Sequence, residues 1–349
     1  MSRFKSQGLN FSSHHDENNN QHVGVLLTNL GTPEQATPSA LRSYLREFLS
    51  DPRVVEIPRL LWLIILHGII LRIRPKKSAK LYQNIWTKQG SPLMVISRQQ
   101  QAKITTKLTE KYGDNVQVEL AMRYGKPSIA QALQKFQQAH IDNIVVLPLY
   151  PQYSGPTTGS TFDAVTDELK QWRWLPSLHF INGYHKNSLY IQALANSIKS
   201  HIKEHGKPEK LVISYHGMPQ IFHDWGDPYA DFCQQTTQLL IPALNNAIAD
   251  KDILMTYQSR FGKAQWLTPY TENVLTDLAA QQVKHIAIIC PAFSSDCLET
   301  LDEIEREYRQ IFINSGGKQF TYIAALNAKD DHIDALIDVI SPYLPKEKV

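Results

Sequence analysis

Three glutamates spaced by four, Glu299, Glu303 and Glu307, carry the densest chemistry in this chain. On a helix that spacing sets them on one stripe about 12 Å long, at 1.5 Å rise per residue. Like charges so arranged repel by a few tenths of a kcal/mol per pair unless a cation, protons or a metal ion joins them. Two readings follow: a solvated helix face, or a carboxylate ladder that accepts protons or metal. Ahead of the stripe, the apolar run 285–290 has the length and branching of a buried strand, and Pro291 ends it. His216 stands in a similar place, in LVISYHGMP, where a buried strand ends and Gly217 permits close backbone approach. Such a histidine is structural or, facing carboxylates, a general base or metal ligand. Histidine with carboxylates suits labile divalent iron, because no thiolate holds the metal too tightly.

The elements that must position these groups repeat along the chain. Buried-strand candidates at 23–30, 116–122, 143–149 and 178–182 alternate with helical stretches. A second set follows at 210–215, 253–258, 285–290 and 320–326. Their exits correspond in order. NLGTP (29–33) resembles YHGMP (215–219), and MRYGKP (122–127) resembles SRFGKA (259–264). VLPLYPQYS (146–154) resembles IICPAFSSD (288–296), and NGYHKNSLYIQAL resembles NAKDDHIDAL. The pattern predicts an α/β chain of two similar Rossmann-like domains, each a parallel four-stranded sheet flanked by helices, with a cleft between them. We expect domains at 23–185, with an insertion at about 41–95, and at 186–328. Residues 329–349 are expected to form a helix packing back on the first half. Ligands of such sheets bind beyond the carboxyl ends of the strands, where every paired motif lies.

Composition narrows the partners. The 349 residues carry 36 basic against 33 acidic side chains, and no basic run exceeds the pair Lys76 and Lys77, which argues against nucleic acid. There is no GxGxxG and no GxxxxGK[ST], so a nucleotide is not expected. Neither GxSxG nor HExxH occurs, which argues against a hydrolase triad or a zincin. Cys233, Cys290 and Cys297 form no CxxC pair and read as reduced thiols of a cytoplasmic protein. Residues 1–22 are polar without an apolar h-region and read as a disordered tail. Residues 60–71, LLWLIILHGIIL, are apolar all round but too few to span a bilayer, which needs about 20. They form a buried core helix, or a hydrophobic lip with Trp62 and flanking arginines as interfacial anchors.

LLTNLGTP (26–33), WTKQGSPL (86–93), LYPQYSGPTTGS (149–160), ISYHGMP (213–219), YQSRFGKAQWLTP (257–269) and FSSDCLETLDEIE (293–305) together resemble the ferrochelatases. These enzymes insert Fe2+ into protoporphyrin IX, the last step of haem biosynthesis. The resemblance runs from about residue 23 to 343 and implies their two-domain fold. It implies that His216 deprotonates pyrrole or binds iron, and that Glu299 is its partner across the porphyrin centre. Asp296, Glu303 and Glu307 match acidic positions on a π-distorted helix that passes metal in or protons out. Leu30, Tyr82, Ser91, Arg123, Tyr124, Tyr150, Arg260 and Trp266 match positions around the macrocycle and its propionates. The greasy insertion matches the active-site lip, leaving room for peripheral contact with the inner membrane.

Departures from the family pattern refine these expectations. Cluster-bearing members have a cysteine near the QYS loop, where Gly155 follows Ser154 here, so no [2Fe–2S] cluster and no tightly bound cofactor are expected. Leu30 stands where coproporphyrin-using members have tyrosine, which favours protoporphyrin IX; Cys297 replaces a frequent histidine. The alternatives are a coproporphyrin ferrochelatase, a chelatase for another divalent metal and tetrapyrrole, or a two-lobed binding protein without catalysis.

Overall fold

The structure, a computed structural model, describes Phe4 and residues 22–346; the expected tail lies almost wholly outside the described residues. All eight expected strands form: β1 (Val23–Gly31), β2 (Val116–Tyr124), β3 (Asn143–Pro148), β4 (Ser177–Phe180), β5 (Lys210–His216), β6 (Ile253–Gln258), β7 (His285–Ile289) and β8 (Gln319–Ile323). They build two parallel sheets of the same order, β2-β1-β3-β4 and β6-β5-β7-β8. Helices α1 (Pro38–Leu49), α2 (Arg59–Ile65), α3 (Leu71–Ile85) and α4 (Pro92–Tyr112) fill the β1–β2 crossover. The remaining helices of the first half are α5 (Ile129–Gln138) and α6 (Ser160–Leu169). The second half carries α7 (Ser188–His205), α8 (Gln220–Asp224), α9 (Tyr229–Ala243), α10 (Thr271–Ala280), α11 (Arg309–Asn314) and α12 (Asp330–Ile340).

Helix ends follow local chemistry. Ser128 and Gln131 form a reciprocal capping box at α5, the Ser128 hydroxyl accepting from the Gln131 amide and the Gln131 side chain accepting from the Ser128 amide. Asn187 caps α7 by accepting from the Tyr190 amide at 3.0 Å, and Gly206 ends it at φ +86°.

Strand alternation decides where the core sits. Val23, Val25 and Leu27 of β1 and Leu211, Ile213 and Tyr215 of β5 share one large buried cluster. Helix residues Ile104, Tyr190, Leu240 and Leu336 complete that cluster between the sheets. The opposite faces bury separately, Leu26 and Val146 beneath α5 and α6, Val212 and Ile288 beneath α10 and α11. Both faces are covered, which is why these strands read as continuous apolar runs. A single shared core joins the halves and holds their strand exits in fixed relation. Helix α12 packs on α7 and reaches α4, where Lys103 pairs with Asp330 at 2.6 Å.

The duplication extends to the turns, with one shift. Met122 donates to the Pro127 carbonyl and Tyr257 to that of Pro269, so Met122 corresponds to Tyr257 in space. MRYGKP therefore starts inside β2, whereas SRFGKA starts beyond the end of β6. The sequence likeness of these two motifs is offset by two positions from their structural equivalence, and β6 ends one residue past Tyr257 where β2 ends two past Met122.

The greasy segment is a lip and not a core helix. It runs through α2 and a π-helical turn, Leu66–Ile70. Only Leu66 of that turn is buried, while Leu60 is 81% exposed and Ile64 72%. Trp62 ties the lip down by donating to the Leu49 carbonyl at 2.6 Å. Among the described residues no helix is long and apolar enough to cross a membrane.

Candidate active site

His216 closes β5, half-buried beside the Phe293 ring. Its Nδ1 lies 2.6 Å from the Gly217 carbonyl. A carbonyl only accepts, so the neutral ring carries its proton on Nδ1 and leaves the Nε2 lone pair for a proton or a metal. Gln258 of β6 is the register partner of His216. The Gln258 amide in turn donates to the Glu299 carbonyl at 3.0 Å and to the Glu303 carboxylate at 3.4 Å.

The carboxylate stripe lies on a π-helix, Glu299–Tyr308. The wider turn brings positions four apart closer to alignment than an α-helix does, and π-turns are frequent at functional sites. Glu299 is half-buried beside Tyr82 and Cys297. Burial first, and then the Glu299 charge, push the Tyr82 phenol and the Cys297 thiol upward, so both stay protonated. The apolar wall here holds Tyr44, Tyr82, Leu30, Trp86 and Leu298.

Besides the Gln258 amide, three shorter donors hold Glu303. The Ser259 amide lies 2.7 Å from Oε1, the Ser259 hydroxyl 2.5 Å from Oε2, and the Tyr308 hydroxyl 2.9 Å from Oε1. Burial raises its pKa above the usual carboxylate range and the Glu299 charge adds to that, while Ser259, the His216 charge and Tyr308 oppose the rise. Glu303 therefore senses both His216 and Glu299. Glu307 is exposed at the far end of the stripe.

Asp296 is buried differently from the expectation of a metal-facing acid. Its carboxylate accepts from Tyr322 at 2.6 Å, Asn327 at 2.7 Å and Thr300 at 3.0 Å, tying the β7 exit to the β8 exit. Among the described residues no group of three His, Cys, Asp or Glu side chains is assembled to hold a metal. Of the five expected metal positions, Glu299 and Glu303 are joined through Gln258, the register partner of His216, while Asp296 is tied to Tyr322, Thr300 and Asn327 and Glu307 is exposed.

The expected macrocycle residues also divide. Arg123 donates to the Ser160 carbonyl at 2.9 Å and pairs with Asp51, with its side chain only 17% exposed. Tyr124 is fully buried and donates to Asp51 at 2.8 Å. Asp51 would be raised by its own burial, but the Ser160 hydroxyl, the Arg53 amide, Tyr124 and Arg123 hold it below the usual range. Arg123 and Tyr124 therefore form a closed polar knot that shapes the wall. Ser91 accepts from Thr32 at 2.7 Å, and the Tyr150 hydroxyl and Trp266 Nε1 are buried without a protein partner. Trp266 bridges to Pro219, just after His216. Arg260 is exposed and lies over Tyr270.

Four residues escaped the sequence reading. Asp51, Gln258 and Ser259 are signalled by nothing local, since their partners come from other strands and helices. Arg74 had a signal, as a cation three residues past the greasy run. Its guanidinium lies 5.0 Å over the Phe261 ring, and burial lowers its pKa. It joins the lip to the β6 exit. Asn84 makes a second tie, donating to Asp302 of the π-helix at 3.0 Å.

Paired parallel sheets, with a histidine and a carboxylate ladder at the neighbouring β5 and β7 exits of the second sheet, mark the site of a two-lobed α/β fold. Solved structures agree on the fold: SirB from Bacillus subtilis with Fe3+ superposes with a TM-score of 0.52 at 10% identity, covering 93% of this chain and 96% of that one. The ferrochelatase family model matches residues 22–344. The ferrochelatase of Shewanella denitrificans is 58% identical over 330 residues, covering 92% of this chain and 98% of its own. Ferrochelatase 2 of Shewanella oneidensis is also 58% identical, with the same coverage. The chain belongs to the ferrochelatase family and is a metal-inserting lyase.

Proposed function

We propose that the porphyrin is protoporphyrin IX, that His216 and Glu299 act across its centre, and that Glu303 and Glu307 carry protons or Fe2+ beyond them. The observation that carries the reading is geometric: Gln258, the register partner of His216, donates both to the Glu299 carbonyl and to the Glu303 carboxylate. Free porphyrin is nearly planar, and two inner N–H groups obstruct the metal. A rigid apolar wall of Tyr82, Leu30 and Leu298 uses binding energy to hold the ring distorted, turning pyrrole lone pairs outward. Two protons then leave, more than one histidine can hold at neutral pH. Nε2 of His216 takes the first, and the ladder offers acceptors for the rest. Fe2+ is substrate here.

Leu30 in the apolar wall supports protoporphyrin IX over a more acidic porphyrin. Tyr150 and Trp266 offer unpartnered polar atoms for the ring's edge. No [2Fe–2S] cluster belongs to the reading, since such clusters are generally bound by four protein ligands and these residues include three cysteines, all buried free thiols. We place the division between the halves at 185–186, and the protein in the cytoplasm with the exposed lip resting on the inner membrane.

An anaerobic assay with Fe2+ tests the proposal, with protoporphyrin IX and coproporphyrin III in parallel. Haem from protoporphyrin IX is the expected product; a preference for coproporphyrin III overturns the substrate assignment. His216→Ala is expected to abolish insertion while porphyrin still quenches tryptophan fluorescence. Retained turnover reduces His216 to a structural residue.

A further inference from the structure

We infer that Gln258 and Ser259, at the exit of β6, are positioning residues that set Glu299 and Glu303 against His216. The inference rests on the iron-insertion reading above and adds to it the device that aligns the ladder.

Gln258 is 1% exposed, and both ends of its amide are engaged. Its Nε2 donates to the Glu299 carbonyl and to Glu303. Its Oε1 accepts from the Ser214 hydroxyl at 3.0 Å and from the Cys290 thiol at 3.4 Å. One side chain therefore joins β5, β7 and the first turn of the π-helix, with His216 as its register neighbour. Burial keeps Cys290 a thiol, the form that can donate. With no slack at either end, the amide relays the position of the β5 exit to the carboxylate helix.

Ser259 completes the clamp. It sits at φ +65°, a left-handed conformation uncommon for a residue with a side chain. That turn aims its amide and its hydroxyl at the two oxygens of one carboxylate, Glu303. Two donors straddling a carboxylate freeze its rotation in a way one donor cannot. Glycine would take this φ without strain but would lose the hydroxyl. A π-helix is a rare local geometry, and contacts from outside help to hold its register.

Ser259→Ala and Ser259→Gly both remove the hydroxyl, the glycine without backbone strain at this φ. Each variant is expected to lose about tenfold in kcat, the scale of one hydrogen bond to a charged group. The porphyrin affinity of Ser259→Ala and its melting temperature stay at wild-type values. Gln258→Glu, equal in shape but lacking both donors, is expected to slow insertion further and to speed amide exchange across 299–304. Wild-type kcat in Ser259→Ala or Ser259→Gly, or a loss confined to porphyrin affinity, overturns the inference. A wild-type protein inactive with every porphyrin and metal would sink the functional reading by itself. The exchange arm then still decides the clamp, because unchanged exchange in Gln258→Glu refutes it.

Discussion

The amide of Gly217 donates to the carbonyl of Gln258 at 2.8 Å, and a Cβ at position 217 would stand 2.6 Å from that oxygen. The first half repeats the device: Gly31 at φ +113° passes so close to Tyr124 that a Cβ would meet its carbonyl at 1.8 Å. In each half the chain leaving the first strand must cross the end of the second. At position 217 this crossing fixes the residue beside it, His216, whose Nδ1 meets the Gly217 carbonyl.

Gly217→Ala therefore pushes the turn off Gln258. We expect a stability loss of about 1–3 kcal/mol, as for other close-packed backbone sites. Displacing His216 by about 1 Å lowers turnover by roughly a hundredfold. Urea unfolding with a haem-formation assay checks both, and near-wild-type turnover would show that the turn has slack.

The knot of Asp51, Arg123, Tyr124 and Ser160 predicts a sharp contrast between two ion pairs. Asp51→Ala leaves a guanidinium buried without its acid and is expected to destabilise by about 3–5 kcal/mol. The pair of Arg53 with Asp163 is about 40% exposed on the arginine side and 39% on the aspartate side. Asp163→Ala is expected to lose no more than about 1 kcal/mol. Similar unfolding midpoints for the two variants would contradict this ranking.

His332 supplies a pH dependence. The ring is fully buried, with Nδ1 donating to the Asn327 carbonyl at 2.6 Å and Nε2 unpartnered. Burial pushes its pKa down to about 4, against about 6.5 in an unfolded chain. Between those values the unfolded chain binds a proton that the folded chain refuses. Stability is then present above about pH 6.5 and falls as the solution is acidified, by roughly 3 kcal/mol near pH 4. His332→Gln can keep a donor to Asn327 without a titrating ring, so its unfolding midpoint should change less over that window. Equal slopes for the two proteins would assign the effect elsewhere.

Membrane contact is tested at the most exposed positions of the lip. Leu60, Ile64 and Ile69 are exposed apolar side chains on one projecting segment. Replacing all three by serine should leave the melting temperature unchanged, because none of them fills the core. Flotation with anionic vesicles should drop several-fold in the variant. Equal flotation would leave the lip facing only the porphyrin.

Much of the fold was legible without coordinates, for a physical reason. Parallel strands buried on both faces are short apolar runs, and all eight stand out by that pattern. The paired motifs mark the strand exits because each exit needs turn chemistry of its own. Local spacing also found the carboxylate stripe, since positions four apart meet on any helix. By contrast, periodicity could not separate a buried helix from an exposed lip in residues 60–71, because all-round apolarity satisfies either.

By itself, the order of residues determined a duplicated α/β chain with His216 and three glutamates at strand exits. Only the tertiary structure decided which of those groups work together. Asp296 looks like Glu303 in the sequence, yet Tyr322, Thr300 and Asn327 occupy its oxygens. Arg123 reads in the sequence as a lone cation, and its partner Asp51 lies 72 positions away. Hydrogen-bond partners are chosen by proximity after folding, and that proximity comes from strand register and from the single core joining the two sheets. Burial is written locally along the chain; partnership between Gln258, Glu303 and His216 exists only once β5, β6 and β7 have paired in the second sheet.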